Sequence, residues 1–393
     1  MFTVNKSVLS SALADVMKGL AAISTLPVLE CILFAVEGQR LRLTATNLEL
    51  TIQKWVSLSS MAFTEEAIAI PGKLIKDLVS LAPEGDIQME INSVVNEVII
   101  VAGKTKNVIK CIDPREFPPI YPVPDHHSGE LPGNTWKQIG ERVAYASDKT
   151  NAARPVLQGV LLDFDRDALH AVATDGFRIA VQKFEFETPT ELRQTVLIPA
   201  GSLEKTSLIL DEQNIRLLVD ERQMIVFNDD TLVAYQRIDG KFPDWKAIMP
   251  PSFNHTLNIA YEDLDRAIRQ AMVVARERKE ALTGAISLAS EDKSVVIAGE
   301  DGMGSKSQSV IHSDLVSQSL FTANGVFLMQ TLKAMHGVKT VQIRANARTH
   351  PLEITSAEMQ DYTVIMMPME STSERNDEML ALARQAAASM GLE

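Results

Sequence analysis

Three closing motifs recur in this 393-residue chain at a fixed interval: Phe117-Pro118, Phe242-Pro243 and Met367-Pro368, the prolines 125 residues apart both times. Two further pairs keep nearly the same register. Pro27-Val28-Leu29 returns as Pro155-Val156-Leu157, and Ile70-Pro71 as Ile198-Pro199, each displaced by 128 residues. A period this long exceeds any solenoid repeat, so it means tandem domains of one fold. Three unrelated domains would not hold several motifs in one register. The expected domains are 1–127, 128–252 and 253–370, followed by a tail at 371–393.

Hydrophobic periodicity fills in each repeat. Phe2 to Asn5 reads as a strand, and Lys6 to Leu20 as an amphipathic helix with Val8, Leu9, Leu13, Val16 and Leu20 on one stripe. Strands follow at Glu30 to Val36, Arg40 to Thr46 and Leu48 to Leu58. The order then repeats: a strand at Ala67 to Ile70, a helix opened by Pro71-Gly72, and strands at Ile87 to Ile91, Glu97 to Val101 and Asn107 to Ile112. Each domain is therefore two strand-helix-three-strand halves, an α+β class. In the second repeat the helices fall at Trp136 to Ser147 and from Pro199 to Leu210. In the third they fall at Glu262 to Arg276 and Gly325 to Met335. Glu374 to Met390 is Ala-rich and reads as one more helix.

The chain offers little catalytic chemistry. It has no Gly-x-Ser-x-Gly elbow, no Walker loop and no His-Glu-x-x-His helix. Gly302-Met-Gly304 lacks the third glycine of a dinucleotide loop. Asp125-His126-His127 carries potential metal donors, but its Pro- and Gly-rich setting between repeats favours a solvated linker. Thr174-Asp175-Gly176 reads as a bend between strands, and no base near Asp175 would make it catalytic. The expectation is no catalytic residue, no metal and no cofactor. Two cysteines in separate apolar runs suit a reducing cytoplasm better than a disulfide framework. No run approaches the ~18 apolar residues of a membrane span.

A net charge of −13 argues at first against nucleic acid. Its distribution argues otherwise. Six expected helical windows hold 13 Lys/Arg against 9 Asp/Glu, about +4, which leaves about −17 for the rest. If the helices share a face, a mildly basic surface sits in an acidic body, suited to weak, salt-sensitive, sequence-independent phosphate contact.

Thr25-Leu-Pro-Val-Leu29, Arg154-Pro-Val-Leu-Gln-Gly-Val160, Ala173-Thr-Asp-Gly-Phe-Arg178, Asp239-Gly-Lys-Phe-Pro-Asp244 and Met367-Pro-Met369 together resemble the bacterial DNA polymerase III beta subunit, the sliding-clamp family, over about residues 1–369. The resemblance implies three DNA-clamp domains and a head-to-tail homodimer closing a ring around duplex DNA, helices lining the hole. It implies DNA-facing positions at Lys73, Asn151, Arg154 and Pro155. It also implies a hydrophobic cleft where polymerase, clamp loader and repair proteins dock short peptides. The cleft maps to Leu157, Thr174, Gly176, Phe177, Arg178 and Ile179, with Pro243 and Ile248. Asn324, Phe327, Ile365, Met367, Pro368 and Met369 complete it. The dimer seam maps to Asn107, Ile109 and Ile112, and to Val273 and Val274.

Ile23, Ala247 and Glu370 stand where some relatives are basic. Relatives end just after Met-Pro-Met, so the tail is a departure, expected to modulate access to the cleft. The competing readings are a clamp-like peptide scaffold or regulator that does not encircle DNA and, more remotely, an enzyme using Asp175 and Arg178.

Overall fold

The computed structural model describes residues 1–390 apart from 61–65, 151–152, 187–191, 211–213, 276–283, 302, 315–317 and 347. The first repeat runs β1 (Phe2–Asn5), α1 (Lys6–Val16), β2 (Cys31–Glu37), β3 (Arg40–Thr46), β4 (Leu50–Ser57), then β5 (Ala67–Pro71), α2 (Gly72–Leu81), β6 (Asp86–Asn92), β7 (Glu97–Ala102) and β8 (Thr105–Lys110). The second runs β9 (Gly129–Pro132), α3 (Gly133–Arg142), β10 (Gly159–Phe164), β11 (Ala168–Thr174), β12 (Arg178–Glu185), then β13 (Gln194–Pro199), α4 (Ala200–Thr206), β14 (Asn214–Val219), β15 (Gln223–Phe227) and β16 (Thr231–Gln236). A one-turn helix, α5 (Trp245–Ile248), precedes the third repeat. That repeat is β17 (His255–Ala260), α6 (Tyr261–Ala275), β18 (Ala285–Glu291), β19 (Ser294–Glu300), β20 (Lys306–His312), then β21 (Ser319–Asn324), α7 (Gly325–Ala334), β22 (Thr340–Ala345), β23 (Leu352–Thr355) and β24 (Tyr362–Met366). The tail forms α8 (Ser373–Met390).

All six halves follow the expected order, and the structure supplies three strands that the hydrophobic pattern does not reveal. β20 reads Lys-Ser-Gln-Ser-Val-Ile-His, an edge strand whose side chains are exposed or half-buried throughout, so no apolar alternation marks it. β9 has four residues and a single buried side chain, Leu131, and β21 is buried at five of its six positions, so neither shows an apolar alternation. The expected helix to Leu20 stops at Val16 and continues as a 3₁₀ turn over Met17–Gly19. The expected strand at Glu30 begins at Cys31, because Pro27–Glu30 is a 3₁₀ turn opened by its proline.

The halves exchange their opening strands. In the first repeat β1 joins β6-β7-β8, while β5 joins β2-β3-β4. The third repeat does the same, with β17 beside β22 and β21 beside β18. Ladders also run from one repeat into another. β4 pairs antiparallel with β16, giving the eight-strand order β5-β2-β3-β4-β16-β15-β14-β9. β12 pairs with β24, so β10-β11-β12-β24-β23-β22-β17 run in one sheet. As a result the chain divides into two compact units that cut the middle repeat: Met1–Gly140 with Thr190–Asp239, and Glu141–Pro189 with Gly240–Glu393.

Within the second unit, β18 and β19 are buried on both faces. Val295 and Ile297 alternate with Val296 and Ala298, and all four are at most 2% exposed. One face carries α6; the other is covered by α8, whose Met379 and Ala383 are fully buried against Ala289, Val296 and Ala298. In the first unit β6 shows the contrasting strict alternation of buried and exposed residues, the mark of a one-sided sheet. Gly299 lets α6 approach β19, since a Cβ there would meet the Ala271 carbonyl oxygen at 2.4 Å. Gly299→Ala is expected to cost about 1–3 kcal/mol through overpacking, read as a lower denaturation midpoint with unchanged slope.

Candidate functional site

The bend at Thr174-Asp175-Gly176 is built by its own side chains. Thr174 Oγ1 donates to the Arg178 carbonyl at 2.6 Å and accepts from the Gly176 N–H at 3.0 Å. Asp175 Oδ1 accepts from the Phe177 and Arg178 N–H groups, both at 2.9 Å. Gly176 sits at φ +90°, in the region that favours glycine. This net turns Phe177 outward, where it is 66% exposed, and Arg178 inward, where it is 6% exposed.

Arg178 ties three segments of the unit together. Its Nε reaches Asp175 Oδ2 at 3.0 Å, and the two terminal nitrogens donate to Gln330 Oε1 at 2.6 Å and to the Tyr145 carbonyl at 2.9 Å. The guanidinium also lies over the Phe327 ring at 4.1 Å and the Tyr145 ring at 5.0 Å. Planarity and fixed donors let arginine satisfy such a buried position, where lysine would leave bonds unmade. Arg178 is thus a positioning group beneath the surface rather than an exposed contact. Behind it, Tyr362 donates to the Arg142 carbonyl at 2.8 Å, and burial pushes the phenols of Tyr145 and Tyr362 up, so both stay protonated donors.

Next to the bend, β24 lies in register with β12: Arg178 faces Met366 and Ile179 faces Ile365. The Met367 N–H donates to the Phe177 carbonyl at 2.8 Å, and the Met369 N–H to Thr322 at 2.7 Å. Asn324 caps α7 by accepting from the Val326 and Phe327 N–H groups. Leu157, Thr174, Ile179 and Ile365 are buried, so they form the bed of this region. Phe177, Ile248 and Met367, with the exposed Pro243, carry its outward apolar surface. Gly240, before Pro243, lies against the Pro155–Gln158 turn, because a Cβ on it would meet Val156 Cγ1 at 2.6 Å. Sequence reasoning left out Tyr145 and Gln330, since no local pattern says that they will converge on Arg178.

The other expected site residues divide as follows. Lys73 is exposed at the start of α2, and Arg154 and Pro155 are exposed; Asn151 lies outside the described residues. Lys73 lines a cavity with Lys18 and Lys205, so three helical segments of the first unit bring cations to one place. On the edge strand β8 the expected Ile109 points into its own core at 3% exposure, and Val108 is outward at 56%; side chains alternate, so one residue's shift reverses the face. Ile112 is half-buried and bridges to Ala69. Val273 is 77% exposed and Val274 half-buried on α6. Arg178→Ala should cost about 3–5 kcal/mol by leaving Asp175 and Gln330 unpaired in a buried net. Chemical denaturation reads the loss, and Phe177→Ala, at an exposed position, should cost far less.

The chain matches the description "DNA polymerase III beta subunit, N-terminal domain" over residues 1–122 and "DNA polymerase III beta subunit, central domain" over 130–244. It is 26% identical over 376 residues to the beta sliding clamp of Synechococcus elongatus, covering 93% of this chain and 98% of that one. The crystal structure of the DNA polymerase sliding clamp from Bacillus subtilis superposes with a TM-score of 0.86 at 20% identity, over 94% of this chain and 99% of the other. A Pseudomonas aeruginosa sliding clamp bound to griselimycin aligns with the same TM-score, 0.86, at 21% identity and with the same two coverages. The fold is therefore that of three tandem clamp domains. With both domain matches together spanning more than half of its length, the chain belongs to the DNA polymerase III beta subunit family.

Proposed function

We propose that this chain is a DNA sliding clamp: a non-catalytic processivity factor that closes a ring as a homodimer, encircles duplex DNA, and tethers a replicative polymerase and other partners through the Phe177–Met367 cleft. The observation that carries the DNA-facing part is the convergence of Lys18, Lys73 and Lys205 on one cavity in a protein of net charge −13. A closed ring needs no tight grip, and a tight grip would stop sliding, so a few lysines suffice. Domain edges near residues 127, 252 and 370 follow from the same reading.

The subunit seam would use one edge of each four-stranded sheet. β8 ends one four-stranded sheet and β20 ends the other, with Val108 and Val310 outward at 56% and 50% exposure. Unpaired edges are templates for pairing with another chain, and a head-to-tail dimer would use one of each. Among the described residues no helix is long and apolar enough to cross a membrane.

The α8 tail supports the cleft in this reading. Met367 and Met369 are held by backbone bonds, and α8 then docks on β18 and β19, reinforced by Lys306–Glu378 at 2.6 Å and Arg375–Glu300 at 3.1 Å. The wall is thus fixed at both ends. Ending the chain after Thr372 should weaken docking of a short apolar clamp-binding peptide several-fold, measured by titration; unchanged affinity would remove the tail from the cleft's function.

Loaded on nicked circular DNA, the protein should remain bound in high salt and leave when the circle is cut. Loss on raising salt alone, with no effect of linearisation, would leave ordinary electrostatic binding and the non-encircling scaffold. A monomeric mass at micromolar concentration would favour that alternative as well.

A further inference from the structure

The cavity that gathers the three lysines has a second property that duplex binding does not use. Its volume is about 510 Å³, within the ~300–1,000 Å³ span of small-molecule pockets. Beside the lysines it has an aliphatic floor, made by the half-buried Met17, Leu20, Ala21, Pro71 and Ile112 with the exposed Pro27. Gly72 keeps that floor open to close packing, since a Cβ there would meet Leu20 Cδ1 at 2.3 Å. The Cys31 thiol also lines it, and burial pushes its pKa up to about 11, so the floor is uncharged at neutral pH.

The charges around the rim are unequal. Lys73 and Lys205 have no ion pair among the described residues, and Lys18 has a loose one with Asp15 at 3.6 Å. Asp15 is itself held by Lys54 at 2.7 Å. Among the described residues the one acid lining the cavity, Glu30, accepts the Ser24 N–H at 3.2 Å. On the adjoining loop Ile23 and Leu26 are 92% and 51% exposed, an apolar surface beside the cations. A duplex turns its phosphates outward and hides its base faces, so it would engage the lysines and leave the aliphatic floor bare. An unpaired nucleotide presents both a phosphate and an apolar base face.

We propose that this pocket holds one unpaired nucleotide of a DNA strand, its base against the Leu20–Pro27–Pro71 floor and its phosphate on Lys73 and Lys205. The proposal rests on the DNA-tethering reading above. It gives the clamp a preference for primer–template junctions over uninterrupted duplex, set by chemistry in the first unit rather than by the peptide cleft.

Three DNAs of equal duplex length test it by fluorescence anisotropy at low salt: blunt, with a single-stranded overhang, and with an abasic overhang of the same length. The abasic strand keeps every phosphate and removes the bases. The full-length protein should bind the natural overhang about fivefold tighter than the abasic one, a modest share of what a stacked base contributes. Ala21→Leu, which fills the half-buried floor and leaves all three lysines, should abolish that difference without changing affinity for the abasic strand. Lys205→Gln, at an exposed helix position, should weaken both overhangs. Equal binding of the two overhangs, a difference that survives Ala21→Leu, or indifference to Lys205→Gln overturns the pocket while blunt-duplex binding stands. Failure to bind any of the three, together with loss of retention on circles, overturns the DNA reading itself and this proposal with it.

Discussion

The architecture depends on backbone pairing between repeats. A sheet edge presents a row of unpaired N–H and C=O groups, and a strand-helix-three-strand half leaves such edges at its boundaries. The chain resolves this twice, by exchanging the opening strands of the two halves in a repeat and by laying β4 on β16 and β12 on β24. The second device has a direct consequence for the candidate cleft. Because Arg178 pairs with Met366 and Ile179 with Ile365, residues nearly 190 positions apart become neighbours at fixed register. The exposed Phe177 and Met367 then stand side by side.

Polar chemistry beneath that surface keeps it in place. Arg178 exchanges its water for Asp175, Gln330, a carbonyl and two ring faces, which compensates the cost of burying a cation. The same residue types that invite a catalytic reading of the bend therefore have a structural occupation. Both oxygens of Asp175 are taken by the loop and by Arg178. The chemistry left at the surface is apolar and adaptable, carried by Phe177 and by the flexible thioether side chains of Met367 and Met369.

The tail illustrates how one part of the fold prepares for another. Val295 to Ala298 reads as a continuous apolar run, whereas the corresponding strand of the first repeat, β3, places Arg42 and Thr44 between Leu41, Leu43 and Ala45. A strand apolar on both faces needs a cover on both, and α8 provides the second one.

Sequence alone determined the triple repeat, the two halves of each domain and most helices, because prolines at fixed intervals and hydrophobic periodicity are local and repeat with the fold. It also marked the Thr174–Arg178 bend, whose Asp and Gly act within four residues of each other. The tertiary structure decided what depends on distant partners. It paired β12 with β24, sent Ile109 inward and Val108 outward, tied the buried Arg178 to Gln330 and Tyr145, and gathered Lys18, Lys73 and Lys205 from separate helical segments. Those outcomes are set by long-range hydrogen bonding and by which faces are left to bury, and neither quantity is carried by any short stretch of the chain.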